Sequence, residues 1–189
     1  MKEISFKDFY DVQKDFIDFY KCHKKMCIQK NRQSGFTTVL KSIMDSEVAH
    51  GEEVLYISGC KGSKEFESWL KKRGIYYFFE SDTNVGQFIG KRFDIIILDE
   101  CAFLEDFKNI IGLFLKNNYG YKKLVIATTP IPEGMKNYKY LRGLFRQSGI
   151  EGNLFHFKRI IYDAIEQRLC NLYRGTIQLM KNLIKIEDK

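Results

Sequence analysis

The segment CIQKNRQSGFTT, residues 27–38, has the residue types of a phosphate-binding loop. Such a loop reads G-x-x-x-x-G-K-[ST], joins a strand to a helix, and directs backbone N–H groups at an anion. Here Gly35 is followed by Phe36 where the lysine is expected. Lys30 lies five residues before Gly35, at the start of the loop, and Arg32 adds a second cation. If the loop curls around the phosphates, Lys30 can reach them from this position. The alternative is an ordinary turn flanked by surface cations.

A second candidate element is FDIIILDE, residues 93–100. Its uninterrupted apolar run indicates a strand that is buried on both faces. The run ends in Asp99 and Glu100, which is a Walker B pattern. In phosphoryl transfer such an aspartate would hold Mg²⁺, and the glutamate would polarise the attacking water. A strand end without function is the alternative for this element taken alone.

A third element is VIATTP, residues 125–130, in which Thr128 and Thr129 follow a strand. Open α/β sheets bind ligands at the carboxyl ends of their strands, so two hydroxyl groups there could sense a terminal phosphate. Threonines at strand ends are also common as caps and turn formers.

Periodicity predicts the elements that must position these residues. Apolar residues alternate between helical and strand-like spacing along most of the chain, and this alternation predicts a parallel sheet with right-handed crossovers. Helices are predicted near residues 6–25, 37–50, 63–74 and 105–117, strands at 26–30, 53–59, 75–81, 93–100 and 123–129, then a short helix at 139–145, a strand at 153–162 and one or two helices beyond 163.

Composition is that of one globular domain, since 189 residues with 44% hydrophobic content can bury a core. No apolar run approaches the roughly 20 residues that cross a bilayer, and no signal peptide is apparent, so we expect no membrane association. Five cysteines without a C-x-x-C pair indicate reduced thiols rather than a zinc site. A net charge of +7 is compatible with nucleic acid as a partner but is weak evidence by itself.

Taken in order, RQSGFTT, IIILDECAF and ATTP resemble the ATPase domain of the large terminase subunit, the DNA-packaging motor of tailed bacteriophages. That family shows R-Q-x-G-K-[ST]-T, then D-E-[AC]-A-[FH], then [ST]-T-P. The upstream FKDFYDVQKDF resembles its adenine-recognition segment, with the glutamine at Gln13. Some members carry the lysine at the beginning of the loop and an aromatic residue after the glycine, as Lys30 and Phe36 do here. The resemblance covers roughly residues 6–165.

The resemblance implies an α/β fold of the P-loop NTPase (RecA-like, ASCE) type, a three-layer sandwich around a mostly parallel sheet. It implies one ATPase domain over residues 1–189, with a helical adenine segment at 1–26, a P-loop core at 27–130, and a lid or linker at 131–189. ATP and Mg²⁺ are the expected cofactors. The implied roles are catalysis by Glu100, Lys30 and Arg32; magnesium binding by Thr37 and Asp99; coupling by Thr128 and Thr129; and nucleotide binding by Gln13, Lys30, Asn31, Arg32, Gln33, Ser34, Gly35, Phe36, Thr37 and Thr38.

The resemblance also implies partners. They are double-stranded DNA, a homo-oligomeric ring on a portal protein, a small terminase subunit and a separate nuclease domain, all in the host cytoplasm. No nuclease activity is expected within these residues. An arginine from a neighbouring subunit often completes such a site, and the basic segments 21–25, 71–74 and 136–146 could contact DNA phosphates; the arginine candidates are Arg73, Arg142, Arg146 and Arg159. Two alternatives remain: a helicase-like translocase fragment, and an inactive P-loop relative that binds DNA or protein.

Overall fold

The computed structural model describes residues 11–31, 34–79, 90–115, 119–130, 134 and 136–157. Helices and strands alternate along most of these residues, as the sequence predicts. The helices are α1 (Asp11–Cys22), α2 (Phe36–Ala49), α3 (Lys64–Lys72), α4 (Phe107–Leu115) and α5 (Tyr138–Ile150). The strands are β1 (Lys25–Lys30), β2 (Val54–Ser58), β3 (Tyr76–Phe79), β4 (Ile95–Asp99), β5 (Lys123–Thr128) and β6 (Leu154–Phe157).

The strands form one six-stranded sheet in the order β3-β2-β4-β5-β1-β6. Every neighbouring pair is parallel, which confirms the predicted parallel sheet. Strand β5 separates β1, which leads into the loop, from β4, which ends in Asp99. Because the strands are parallel, all their carboxyl ends lie at one edge of the sheet. The loop after β1, the carboxylates after β4 and the threonines after β5 therefore meet there.

The core has two halves because alternate residues of a strand face opposite sides of the sheet. Met26 and Ile28 of β1 pack on the side of α1, α2 and α3, whereas Cys27 packs on the side of α4 and α5. Strands β2 and β4 are buried along their whole length, as strands covered on both faces must be. This arrangement confirms the predicted three-layer α/β sandwich.

Local sequence signals explain several boundaries. The side chain of Ser63 accepts a hydrogen bond from the backbone N–H of Phe66 at 3.2 Å and so caps the start of α3. Gly74 follows the end of α3 with φ 70°, a left-handed conformation that favours glycine.

Helix α5 is longer than the sequence predicted. A short helix was expected at 139–145, but the helix continues to Ile150, with Leu141 and Ser148 on its buried side. The predicted helices beyond 163, together with Phe6 and Phe9 of the first predicted helix, lie outside the described residues. No helix within the described ranges has the length and apolar character needed to cross a membrane.

Candidate active site

Lys30, the last residue of β1, reaches both carboxylates at the end of β4. Its Nζ lies 2.8 Å from Oδ1 of Asp99 and 2.9 Å from Oε1 of Glu100. Lys30 is 6% exposed and Asp99 is 3% exposed, so this cluster is nearly out of water. Burial by itself would lower the pKa of Lys30, but the charges and hydrogen bonds of Asp99 and Glu100 outweigh burial and raise it. The ammonium therefore stays charged at neutral pH.

Asp99 has both of its carboxylate oxygens in hydrogen bonds. Oδ1 accepts from Lys30 and from the backbone N–H of Glu100 at 2.9 Å, and Oδ2 accepts from the hydroxyl of Tyr56 at 3.1 Å. Burial, and then the charge of Asp99, raises the pKa of Tyr56 well above its usual value, so the hydroxyl remains a donor. Sequence reasoning missed Tyr56. The available signal was a tyrosine in a fully buried strand, whose hydroxyl must find a partner.

Glu100 has a left-handed backbone conformation with φ 47° and ψ 40°, and it begins a short 3₁₀ turn at Cys101–Phe103. Non-glycine residues rarely adopt this conformation, and such strain tends to occur at functional sites. The end of β2 lies close by: a Cβ atom on Gly59 would be 2.2 Å from the carbonyl oxygen of Glu100. Only glycine fits there. Gly59, also missed from the sequence, lets the two strand ends approach.

Thr129 connects the third sequence element to this cluster. Its hydroxyl donates to Oε2 of Glu100 at 3.2 Å, while the hydroxyl of Thr128 donates to the carbonyl oxygen of Thr129 at 3.0 Å. Both threonines are buried. The structure thus places Lys30, Glu100 and Thr129 in one hydrogen-bonded network, although they come from three separate strand ends.

The loop glycine lies at the start of α2. Gly35 has φ 80° and ψ 11°, and its carbonyl oxygen accepts a hydrogen bond from Nε2 of Gln13 at 3.0 Å. A Cβ atom on Gly35 would lie 2.8 Å from that nitrogen. Gln13 is buried and holds the loop backbone from α1. Its expected contact with adenine stays a prediction.

Phe36 packs into the core at the position where the usual loop has its lysine. Its ring centroid is 5.3 Å from that of Phe16 in α1 and 5.1 Å from that of Phe157 in β6. The ammonium of Lys30 lies 5.3 Å from the same ring. Phe36 is only 2% exposed. An aromatic side chain at this position therefore anchors the loop to the core and borders the ammonium that arrives from β1.

The remaining loop residues suit an anion. Ser34 is buried, and its hydroxyl has no hydrogen-bond partner within the described ranges. Thr37 is exposed and Thr38 half-buried, both in the first turn of α2. The backbone N–H of Thr38 donates to the carbonyl oxygen of Gly35 at 3.1 Å, whereas the earliest N–H groups of a helix lack intrahelical acceptors. Asn31 is half-buried; Arg32 and Gln33 lie outside the described residues. An orphaned hydroxyl, a helix N-terminus and a buried ammonium together fit a phosphate group.

A metal ion at this site would take some of its ligands from the phosphate oxygens of the substrate. Within the described ranges, no group of three or more His, Cys, Asp or Glu side chains is placed to hold one. Magnesium in phosphoryl-transfer sites uses one or two protein carboxylates plus phosphate oxygens and waters, so Asp99 and the exposed hydroxyl of Thr37 fit that pattern. Cys101 plays no part in this, since burial raises its thiol pKa well above the usual value.

A parallel six-stranded sheet covered by helices, with lysine, aspartate and glutamate meeting at its carboxyl edge, is an α/β fold with a charged cluster at the edge where such sheets bind ligands. The fold is similar to that of the large terminase from a thermophilic bacteriophage. A structure of that protein in complex with ADP matches with a TM-score of 0.56 and 15% identity, covering 88% of this chain and 50% of the terminase. A second crystal form matches with a TM-score of 0.57 and 16% identity, covering 88% and 51%.

The chain therefore spans about half the length of the solved structures it matches. No protein-family model matches the chain, and no curated protein matches it at a significant level. At this identity the likeness shows the shared fold.

Proposed function

We propose that this chain is an ATPase of the P-loop type that drives the packaging of double-stranded DNA, as a terminase motor does. The observation that carries the proposal is the buried ammonium of Lys30 between Asp99 and Glu100, at the sheet edge where α2 begins. A lysine from the end of β1 brings the cation that the usual loop supplies after its glycine. The ADP complex of the bacteriophage large terminase supports a nucleotide as the ligand.

The chain's own groups divide the work of phosphoryl transfer. The N–H groups at the start of α2 and the ammonium of Lys30 neutralise phosphate charge, which is the main contribution a protein makes to this reaction. Glu100, held by Lys30 and Thr129, orients a water and accepts its proton. Mg²⁺, held by Asp99 and Thr37, would screen the charge that develops on the phosphate oxygens. Gln13 would recognise the adenine base and hold the loop through Gly35.

Thr129 is part of a set of contacts that can couple hydrolysis at Glu100 to movement of α5. Its hydroxyl contacts Glu100 directly, and the chain leads from it through Pro130 towards α5. Beyond Pro130, the amide of Asn137 donates to the carbonyl oxygen of Leu104, which follows the 3₁₀ turn after Glu100. A change in the hydrogen bonds of Glu100 is therefore expected to reach the start of α5 through the contact between Asn137 and Leu104.

The inactive alternative is disfavoured by two features. Phe36 packs in the core, so its presence after Gly35 is compatible with a phosphate-binding loop. Glu100 is kept in a strained conformation and in hydrogen bonds that a module without hydrolysis would not need. The wider assembly, a homo-oligomeric ring on a portal with a small terminase subunit and a separate nuclease domain in the host cytoplasm, belongs to the same proposal.

The test is nucleotide binding and hydrolysis by the purified chain. A fluorescent ADP analogue reports binding with and without Mg²⁺, and phosphate release from ATP reports hydrolysis. Glu100→Gln keeps the shape of the side chain and is expected to bind nucleotide while hydrolysis falls by about 10²-fold or more. Glu67→Gln in α3 is the matched control, because Glu67 also accepts a hydrogen bond, from Tyr77, but is not part of the candidate active site.

Two outcomes would contradict the proposal. If the wild-type chain binds no nucleotide at millimolar concentration, the ATPase function is excluded and the alternative of a DNA- or protein-binding module remains. Hydrolysis that survives Glu100→Gln unchanged would show that the catalytic carboxylate is elsewhere.

A further inference from the structure

Helix α5 concentrates positive charge on one exposed face. It carries Lys139, Arg142 and Arg146 and no acidic residue, whereas α1, α2 and α3 each contain at least two acidic residues. At 100° per residue these three cations fall within about 60° of one another around the helix axis. All three are exposed, and the buried side of the helix, with Leu141 and Ser148, lies roughly opposite. We call this surface the α5 cation face.

The charges of this face are not neutralised within the described structure. None of its three cations forms an ion pair with a described residue, whereas several other surface cations do, including Lys25, Arg73 and Lys122. Arg142 instead contacts the ring and hydroxyl of Tyr138. A row of cations that have no ion-pair partner among the described residues raises the local potential and attracts a polyanion.

A cleft lies between this helix and the sheet. It has a volume of about 460 Å³, and its lining includes Arg142 and Arg146 from the cation face, Tyr138 and Phe145 from the same helix, and Thr128 and Thr129 from the end of β5. Arginine side chains donate hydrogen bonds to the phosphates and sugars of a nucleic-acid backbone, and the apolar side chains beside them can pack against the sugars. An acidic peptide would use the arginines but has less need of the aromatic lining.

One residue belongs to both the cleft and the carboxylate cluster. Thr129 lines the cleft, and its hydroxyl donates to Glu100 at 3.2 Å. A group that enters the cleft from the cation face is therefore separated from the candidate catalytic carboxylate by a single side chain.

We propose that the α5 cation face and the cleft beneath it bind the sugar–phosphate backbone of nucleic acid, and that Thr129 links its presence to Glu100. The surface assignment stands on charge and cavity alone, while the link to Glu100 rests on the proposed ATPase function. The binding is to the backbone, so it is independent of base sequence and weakens steeply with salt.

The test measures binding of a fluorescently labelled DNA duplex of arbitrary sequence by anisotropy at several salt concentrations. In Arg142→Gln/Arg146→Gln, each lost phosphate contact lowers the magnitude of the log–log salt slope by about 0.9, so a drop of roughly 1.8 is expected. The control is Lys61→Gln/Lys64→Gln, which removes the same charge from exposed residues outside the basic segments, just before and at the start of α3. It is expected to keep the slope of the wild type, and Arg142→Lys/Arg146→Lys should restore most of the lost slope.

The results separate this inference from the proposed function. Unfolding temperatures confirm that the variants fold, since all the substituted side chains are exposed. If the wild type binds the duplex but the α5 variant keeps the full slope, or if both pairs lose equally, the surface assignment is wrong. Competition by polyglutamate as effective as that by DNA would assign the face to an acidic protein and overturn the proposal. A wild type that binds no duplex even at low salt would contradict both this assignment and the packaging role, while nucleotide binding would be judged separately.

The link through Thr129 has its own readout. If the sites are coupled, saturating duplex changes the affinity of the wild type for the ADP analogue, and nucleotide changes the affinity for duplex by the same factor. The α5 variant is expected to lose this mutual effect. Equal nucleotide affinity in the wild type with and without duplex would refute the link.

Discussion

Removing the ammonium of Lys30 should destabilise the protein itself, apart from any effect on nucleotide binding. Lys30→Met keeps most of the side-chain volume but leaves Asp99 and Glu100 as neighbouring carboxylates without a counter-ion. Their side chains are 5% and 18% exposed, so water compensates them poorly. Removing one partner of a buried ion pair typically costs about 3–5 kcal/mol of the free energy of unfolding. For a chain of this size that corresponds to a fall in Tm of roughly 10 °C.

Thermal and urea unfolding of the nucleotide-free protein measure this cost. Lys122→Met is the matched control, because Lys122 also contacts two carboxylates, those of Glu52 and Asp94, but lies at the surface. It should change stability little, as exposed ion pairs do. Neutralising the partners in Lys30→Met/Asp99→Asn/Glu100→Gln should recover most of the lost stability, since no charge is then left unpaired.

Wild-type stability in Lys30→Met would refute the interpretation of this cluster as a tightly coupled buried ion pair. So would a triple variant that is no more stable than the single one. The design also bears on function: loss of nucleotide binding by a lysine variant is informative only when that variant is folded at the assay temperature.

Three further substitutions test other contacts of the site. Tyr56→Phe leaves a buried carboxylate oxygen without its donor, at a cost of about 1–3 kcal/mol, and should weaken Mg²⁺-dependent binding of the ADP analogue. Tyr20→Phe, which loses a half-buried hydrogen bond to Glu47 outside the site, should affect stability alone. Gly59→Ala places a Cβ against the backbone of Glu100 and should prevent stable folding. Gly143→Ala, in open space on α5, should raise the free energy of unfolding by up to about 1 kcal/mol. Equal stability of the two variants would disprove the close approach of Gly59 to Glu100. Phe36→Lys introduces the usual loop lysine but places an ammonium in an aromatic core, so it should unfold the protein. Circular dichroism measures this loss of structure. A stable variant with tighter nucleotide binding would contradict the packing of Phe36 in the core.

The architecture of the site was predictable because it follows from chain-local patterns. The apolar run before Asp99 indicates a strand covered on both faces, and alternating helices and strands imply a parallel sheet. Once the sheet is parallel, Lys30, Asp99 and Thr129 must lie at the same edge. That they meet at this edge depends further on the strand order, which places β5 between β4 and β1.

The contacts that were missed depend on which strands are neighbours and in what register. Tyr56 reaches Asp99 because β2 pairs with β4, with Ser58 opposite Asp99, and no local pattern specifies that pairing. Gly59 is needed only because the turn after β4 approaches that strand end. The direction of Phe36 likewise depends on α1 and β6 closing over the start of α2. Such features arise from tertiary structure, and a single sequence encodes them only indirectly.

The left-handed backbone of Glu100 implies that the stability of this chain and the proposed catalytic role of Glu100 place opposite demands on this position. Glutamate is poorly suited to that conformation, which costs about 1–2 kcal/mol relative to a residue that accepts it. Asparagine tolerates it better, and Glu100→Asn would leave Lys30 paired with Asp99 alone, without a second negative charge nearby. We expect this variant to melt at a higher temperature than the natural chain and to hydrolyse no ATP. The stability of the protein would then be limited at the residue to which the proposed hydrolysis assigns the catalytic carboxylate.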